Sequence, residues 1–126
     1  MQANDIRVFI HSRDFQESRG FYQALGFTVC DTSDPDLAIC ELGKCGFFLQ
    51  NAFNETFASH LSLQLMVTDI EAAYERISGL EGYNCRYQPI QDVPWGRVIY
   101  LWGPAGELWH VTQLNVEPTS NQDSDE

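Results

Sequence analysis

Few side chains in this 126-residue chain are suited to covalent chemistry, and their spacing excludes most reaction types. Cys30, Cys40, Cys45 and Cys85 form no CxxC pair. Cysteine is among the most buried residue types, so these four are expected as small, reduced core residues rather than nucleophiles. No G-x-S-x-G elbow, phosphate loop or dinucleotide fingerprint is present. The carboxylates Glu41, Asp92 and Glu107 are scattered, and Glu107, following a Gly-Pro-Ala-Gly turn, is expected at the surface. Seven basic against eighteen acidic residues give a formal charge of −11, with Lys44 the single lysine. That balance excludes phosphate-backbone binding and favours a cationic partner. What remains is the chemistry of recognition, carried by rings and hydrogen-bonding groups. Trp95 sits in a Pro-Trp-Gly loop, where a large ring has little packing reason to be buried.

These groups need elements to hold them, and the chain supplies the same elements twice. Residues 6–30 laid over residues 61–85 align in pattern, though hardly in identity. Ile6, Val8 and Ile10 alternate with Arg7, Phe9 and His11, as Leu61, Leu63, Leu65 and Val67 do with Ser62, Gln64 and Met66. Period two predicts strands with one apolar face. Asp14 and Asp69 then occupy equivalent helix-opening positions. Phe15, Ser18, Phe21, Tyr22 and Leu25 recur at helical spacing in one copy, and Ile70, Ala73, Tyr74 and Ile77 in the other. Gly26 is expected to end the first helix, and Gly79 or Gly82 the second. Strands are expected at 27–30, 37–42, 45–50, 84–87, 97–102 and 108–114, with residues 51–60 as connector. The reading is α+β: two βαβββ modules, about 5–51 and 60–114, within one domain spanning 1–114. An acidic, disordered tail is expected over 115–126.

A module of this size covers one sheet face with its helix and leaves the other free. By alternation the free faces carry Arg7, Phe9, His11, Phe48 and Gln50 in one module, and Ser62, Gln64, Met66, Leu108, His110 and Thr112 in the other. Trp109, of opposite parity to His110, is expected in the core. An aromatic and polar lining on a concave surface suits a small-molecule site. The 44% hydrophobic content is too high for a disordered chain, and no apolar run is long enough to span a bilayer. The start, Met-Gln-Ala-Asn-Asp, lacks a signal-peptide pattern, so a cytoplasmic protein is expected.

Ser12-Arg13-Asp14-Phe15 leading to Phe21-Tyr22-Gln23-Ala24-Leu25-Gly26-Phe27, and Gly103-Pro104-Ala105-Gly106 running into Leu108-Trp109-His110-Val111, carry a family resemblance. Over about residues 6–114 the chain resembles the vicinal oxygen chelate superfamily of glyoxalases, extradiol dioxygenases and bleomycin-resistance proteins. Pro94-Trp95-Gly96-Arg97 places it nearest the bleomycin-resistance branch. The resemblance implies a glyoxalase/bleomycin-resistance-type fold with a cupped mixed sheet. Enzymes of the superfamily hold a divalent metal at four positions that here carry Arg7, Gln50, Ser62 and His110. Only His110 is a strong ligand and Gln50 a tolerable one, because arginine has no lone pair to donate and neutral serine is a poor ligand. A shifted set of His11, His60 and His110 with Gln50 has the right strand parity.

The resemblance therefore implies a non-catalytic binder without a cofactor. It would sequester an aromatic, cationic small molecule in a cleft at a homodimer interface, with no nucleic-acid or membrane partner. Trp95 matches the tryptophan that stacks the ligand, and Trp102, Tyr100 and Phe48 form further walls. His110, Gln50 and Arg7 supply polar contacts, Arg7 being suited to a carboxylate. Leu37 stands where some resistance proteins carry a second stacking ring. The alternative is a metal-dependent lyase, isomerase or dioxygenase of the same fold, using His110 and Gln50.

Overall fold

The computed structural model describes residues 1–115, so the expected tail lies, but for Asn115, outside the described residues. The first module runs β1 (Phe9–His11), α1 (Phe15–Leu25), β2 (Thr28–Asp31), β3 (Leu37–Leu42) and β4 (Cys45–Gln50). A connector helix, α2 (Glu55–His60), leads to β5 (Ser62–Met66), α3 (Ile70–Ile77), β6 (Arg86–Tyr87), β7 (Gln91–Val93), β8 (Gly96–Trp102) and β9 (Leu108–Leu114). The first sheet has the order β1-β4-β3-β2, and the second β5-β9-β8-β6 with β7 also paired to β8. In each sheet the strand before the helix lies parallel to the module's last strand, and the other pairs are antiparallel. The α+β fold with two βαβββ modules is thus the one expected.

Local chemistry explains the elements. Asp14 and Asp69 accept hydrogen bonds from the Glu17 and Ala72 backbone N–H groups, capping α1 and α3. Gly26, at φ 127°, ends α1, but α3 ends at Ser78 in a right-handed conformation, with neither Gly79 nor Gly82 at positive φ. Carbonyls of the last turn are instead met by the Ser78, Gly79 and Leu80 N–H groups. Three further differences concern the strands and connector. Residues 55–60 form α2, because Asn54 caps it through the Phe57 N–H. Strand β7 was not anticipated, and β1 begins at Phe9 rather than Ile6, since ladder pairing to β4 starts at Phe9–Phe48.

Helix-facing residues of both sheets meet in a single core. It includes Ile10, Ala38, Phe47, Leu49, Ile99, Leu101, Trp109 and Val111, joined by Phe21, Tyr22, Leu25, Ile70 and Ile77 from the helices. Trp109 is 4% exposed and lies against Phe47, Tyr22 and Phe27 at ring-centroid distances of 5.6, 6.1 and 6.2 Å. An indole of the second module thereby fills the first module's aromatic cluster.

The same contact holds a buried polar chain. Trp109 Nε1 donates to Tyr22 Oη at 3.0 Å, and Tyr22 Oη donates to Glu107 Oε2 at 2.5 Å. Glu107 Oε1 accepts from the Ala105 N–H at 2.9 Å. Glu107 is 1% exposed, which corrects the expectation of a surface carboxylate. The Gly103–Gly106 turn folds the chain back so that the side chain enters the core, and a Cβ on Gly103 would lie 2.6 Å from its carboxyl. Only glycine leaves that space. Burial pushes the Glu107 carboxyl above its ordinary range, while the Tyr22 hydrogen bond pulls it partly back. Burial and the neighbouring carboxylate hold the Tyr22 phenol well above its usual value, so it remains a donor.

The cysteines divide, where all four were expected inside. Cys40 is buried and Cys85 half-buried, but Cys30 and Cys45 are exposed. Alternation turns Val29, not Cys30, toward the helix, and Cys45 follows the Gly43–Lys44 turn. Burial pushes the Cys40 thiol up to about 12. A thiol-specific reagent is expected to modify Cys30 and Cys45 in the native protein and Cys40 only after unfolding; rapid native modification of Cys40 would contradict its placement. Tyr22→Phe is expected to destabilise the fold by about 1–3 kcal/mol by orphaning two buried groups. Without the Tyr22 hydrogen bond the folded-state Glu107 value rises further. Stability falls as pH climbs from the unfolded value through the raised folded one, so the deficit of the variant is larger in mildly alkaline than in mildly acidic solution. Denaturant unfolding on the acidic and the alkaline side measures this, and an equal deficit would uncouple Tyr22 from the carboxyl.

Candidate functional site

The sheet faces turned away from the helices carry the recognition groups. On the first sheet, β1–β4 pairing sets Phe9 beside Phe48, and their rings stack at 5.0 Å with planes 22° apart. The next same-face pair along is His11 and Gln50, with Leu37 across from Gln50 on β3. Phe57 of α2 packs on the His11 ring at 4.8 Å, and His11 Nδ1 is buried without a hydrogen-bond partner. Arg7 lies beyond the end of this pairing. Its guanidinium bonds Asp5 at 2.8 Å and Glu41 at 3.2 Å, so its charge is met within the chain.

On the second sheet, β8–β9 pairing sets Tyr100 beside His110 and Trp102 beside Leu108. Tyr100 meets His110 edge-on at 5.1 Å, and Ser62 Oγ lies 3.0 Å from His110 Nε2. Thr112, expected on the open face, is buried and donates to Gln64 Oε1 at 3.1 Å. The Arg86 guanidinium lies 3.9 Å from the Trp102 ring centroid, so one face of that indole is covered by the chain itself. Trp95, 55% exposed, stands in the β7–β8 turn above a shallow depression formed with Pro94, Leu114 and Asn115.

The structure therefore brings Tyr100 and His110 together on one sheet, and Phe48 and Gln50 together on the other. Among the described residues, no hydrogen bond, ion pair or ring contact links the two groups. Trp95 immediately precedes β8 and Trp102 ends it, about 23 Å apart at roughly 3.3 Å of rise per residue. They belong to opposite ends of the face. The residues not anticipated are Phe57 and Arg86. The two-residue strand β6 gives no periodicity from which the Arg86–Trp102 register could be read, and α2 lay in a segment read as connector.

The four positions that the sequence resemblance assigns to a metal do not fit an ion here. Arg7 is committed to two carboxylates, Ser62 is engaged with His110 Nε2, and Gln50 is a weak neutral donor. The shifted set fares no better: among the described residues no three His, Cys, Asp or Glu side chains gather as a metal site. His60 instead turns its Nδ1 to the Thr56 carbonyl at 2.7 Å, within α2.

A scan against models of protein families and a search of curated proteins return no match. Solved structures do match the fold. The bleomycin-binding protein from bleomycin-producing Streptomyces verticillus, complexed with copper(II)-bleomycin, is 22% identical, with a TM-score of 0.71 over 89% of this chain and 98% of that one. The bleomycin resistance determinant encoded on the transposon Tn5 is 24% identical, with a TM-score of 0.74 over 90% and 100%. TnmS3, an antibiotic binding protein from Streptomyces sp. CB03234, is 19% identical, with a TM-score of 0.74 over 91% and 99%. The twofold module topology and these likenesses agree: the chain has the fold of the bleomycin-binding and bleomycin-resistance proteins.

Proposed function

We propose that the chain is a small-molecule-binding protein that sequesters an antibiotic-like ligand without turning it over. One observation carries this reading: both helix-averted sheet faces present rings beside hydrogen-bonding groups, and the chain leaves part of each open. Phe9 is 45% exposed and Met66 and Trp95 are each 55% exposed. Apolar surface of this kind is favoured when covered by a ligand or a second subunit. A homodimer that sets the Phe48–Gln50 face of one protomer against the Tyr100–His110 face of its partner would close a cleft with rings on both walls. Trp95 would stack the ligand at one end of it. The fold neighbours that bind bleomycin or another antibiotic support the ligand class.

A cationic, flat-ringed ligand suits the net charge of −11 and the aromatic walls, each cation–ring contact being worth about 0.5–2 kcal/mol. No cofactor belongs to this reading, since the one strong donor at the expected metal positions, His110, is already in contact with Ser62 and the others are poor ligands. A reducing, cytoplasmic setting matches four cysteines that are all free. No described helix is long and apolar enough to cross a membrane.

Calorimetric titration with bleomycin and other cationic aromatic compounds tests the proposal. Trp95→Ala is expected to weaken a saturable ligand by about tenfold, or 1–2 kcal/mol, and unchanged affinity would remove the stacking role. Light scattering is expected to give twice the 14.4 kDa chain mass. A monomer at every concentration would rule out the shared cleft. Protein purified without chelators is expected to carry no stoichiometric transition metal; metal that is lost in His110→Ala would replace binding with catalysis.

A further inference from the structure

Three arginines of this acidic chain, Arg7, Arg19 and Arg97, face carboxylates within 4 Å. Arg13 and Arg86 do not: among the described residues neither guanidinium has a carboxylate partner or a hydrogen bond to protein. Both line one cavity of about 440 Å³, where the entry to α1, the connector helix α2 and the end of the second sheet meet. Asn84, Trp102 and the Gly103–Gly106 turn complete much of its wall, and none of its lining residues is acidic. Glu107, just behind Gly103, is turned inward to Tyr22 and Ala105.

We propose that this cavity is a second binding site, for the oxyanion of an organic molecule, a carboxylate or a phosphate ester. Each guanidinium is set on a ring: Arg86 lies 3.9 Å from the Trp102 centroid and Arg13 4.7 Å from that of Phe53. Stacking fixes the plane of the guanidinium and leaves its N–H edge free, the fork that a carboxylate or phosphate accepts bidentately. Less side-chain freedom is then lost when the anion binds. Asn84, whose side chain has no hydrogen bond to protein, adds a neutral donor at the same wall. The volume exceeds what a bare inorganic anion fills and lies in the range of small organic ligands. Arg13 and Arg86 are both exposed, so an anion reaches their N–H edges directly, and their two charges locally offset the net −11 of the chain. The cavity opens at the Trp102 end of the sheet, away from Trp95, and its lining includes neither Tyr100 nor His110, so its test does not depend on the function proposed above.

Four probes test it on the full chain: 2-naphthoate, 2-naphthyl phosphate, neutral 2-naphthamide and inorganic phosphate. The readout is the indole N–H resonance of Trp102 in a nitrogen-15 correlation spectrum, assigned with Trp102→Phe. Naphthoate or naphthyl phosphate is expected to move that resonance saturably, and the tighter of the two identifies the oxyanion. Naphthamide and inorganic phosphate are expected to bind more weakly. Arg13→Gln and Arg86→Gln are each expected to weaken the oxyanion by about tenfold or more, the loss of a charge-assisted hydrogen bond. The proposal is overturned if neither anionic probe gives a saturable shift, or if naphthamide or inorganic phosphate binds as tightly as both. Affinity that survives both arginine substitutions would overturn it as well.

Discussion

One carboxyl group ties this fold together. Glu107 lies in the core because the phenol of Tyr22 and the amide of Ala105 meet its oxygens, while the Trp109 indole completes the chain from the other side. A buried carboxylate without such partners would be strongly unfavourable. The contact therefore demands three things at once: Tyr22 on the inward face of α1, a glycine at position 103 that leaves room for the carboxyl, and a turn that doubles back between β8 and β9. Those requirements fall in the Phe-Tyr-Gln-Ala-Leu-Gly-Phe and Gly-Pro-Ala-Gly segments, which lie at distant points of the chain. The two motifs are halves of one interaction.

Fastening the modules through their helix-covered sides has a geometric result. Each sheet spends its aliphatic face on the common core, so each opposite face is left for other contacts. The duplication is faithful in topology and unequal in chemistry. The first sheet offers a stacked phenylalanine pair and a buried, unpartnered histidine nitrogen under α2; the second offers Tyr100, His110 and Ser62 in mutual contact. A pair of unlike surfaces recognises an unsymmetrical ligand better than two equal ones would.

Strand alternation and helical spacing made the architecture legible without coordinates. Phe15, Ser18, Phe21, Tyr22 and Leu25 are the residues α1 buries, and Trp109 is in the core as its parity required. Parity says which face a residue occupies but not what lies over it, so it failed where cover mattered. Thr112 has the parity of His110 and is nevertheless sealed by its neighbours. Glu107 precedes β9, outside any periodic segment, and its burial depends on a tertiary partner in α1. Arg86 on Trp102 depends on the register of a two-residue strand, and Arg7 on Glu41 across the sheet. These contacts are set by long-range pairing, for which local pattern holds no signal.

The three tryptophans occupy three unlike surroundings: Trp109 enclosed among rings, Trp95 open to water, and Trp102 lying against a guanidinium. Indole emission moves to shorter wavelength in apolar surroundings and is quenched by collision only where solvent reaches the ring. The native protein thus carries its own set of optical probes. One reports the junction of the modules, one the tip of a hairpin, and one the edge of a cationic hollow, so ultraviolet spectra can separate events at each place without any added dye.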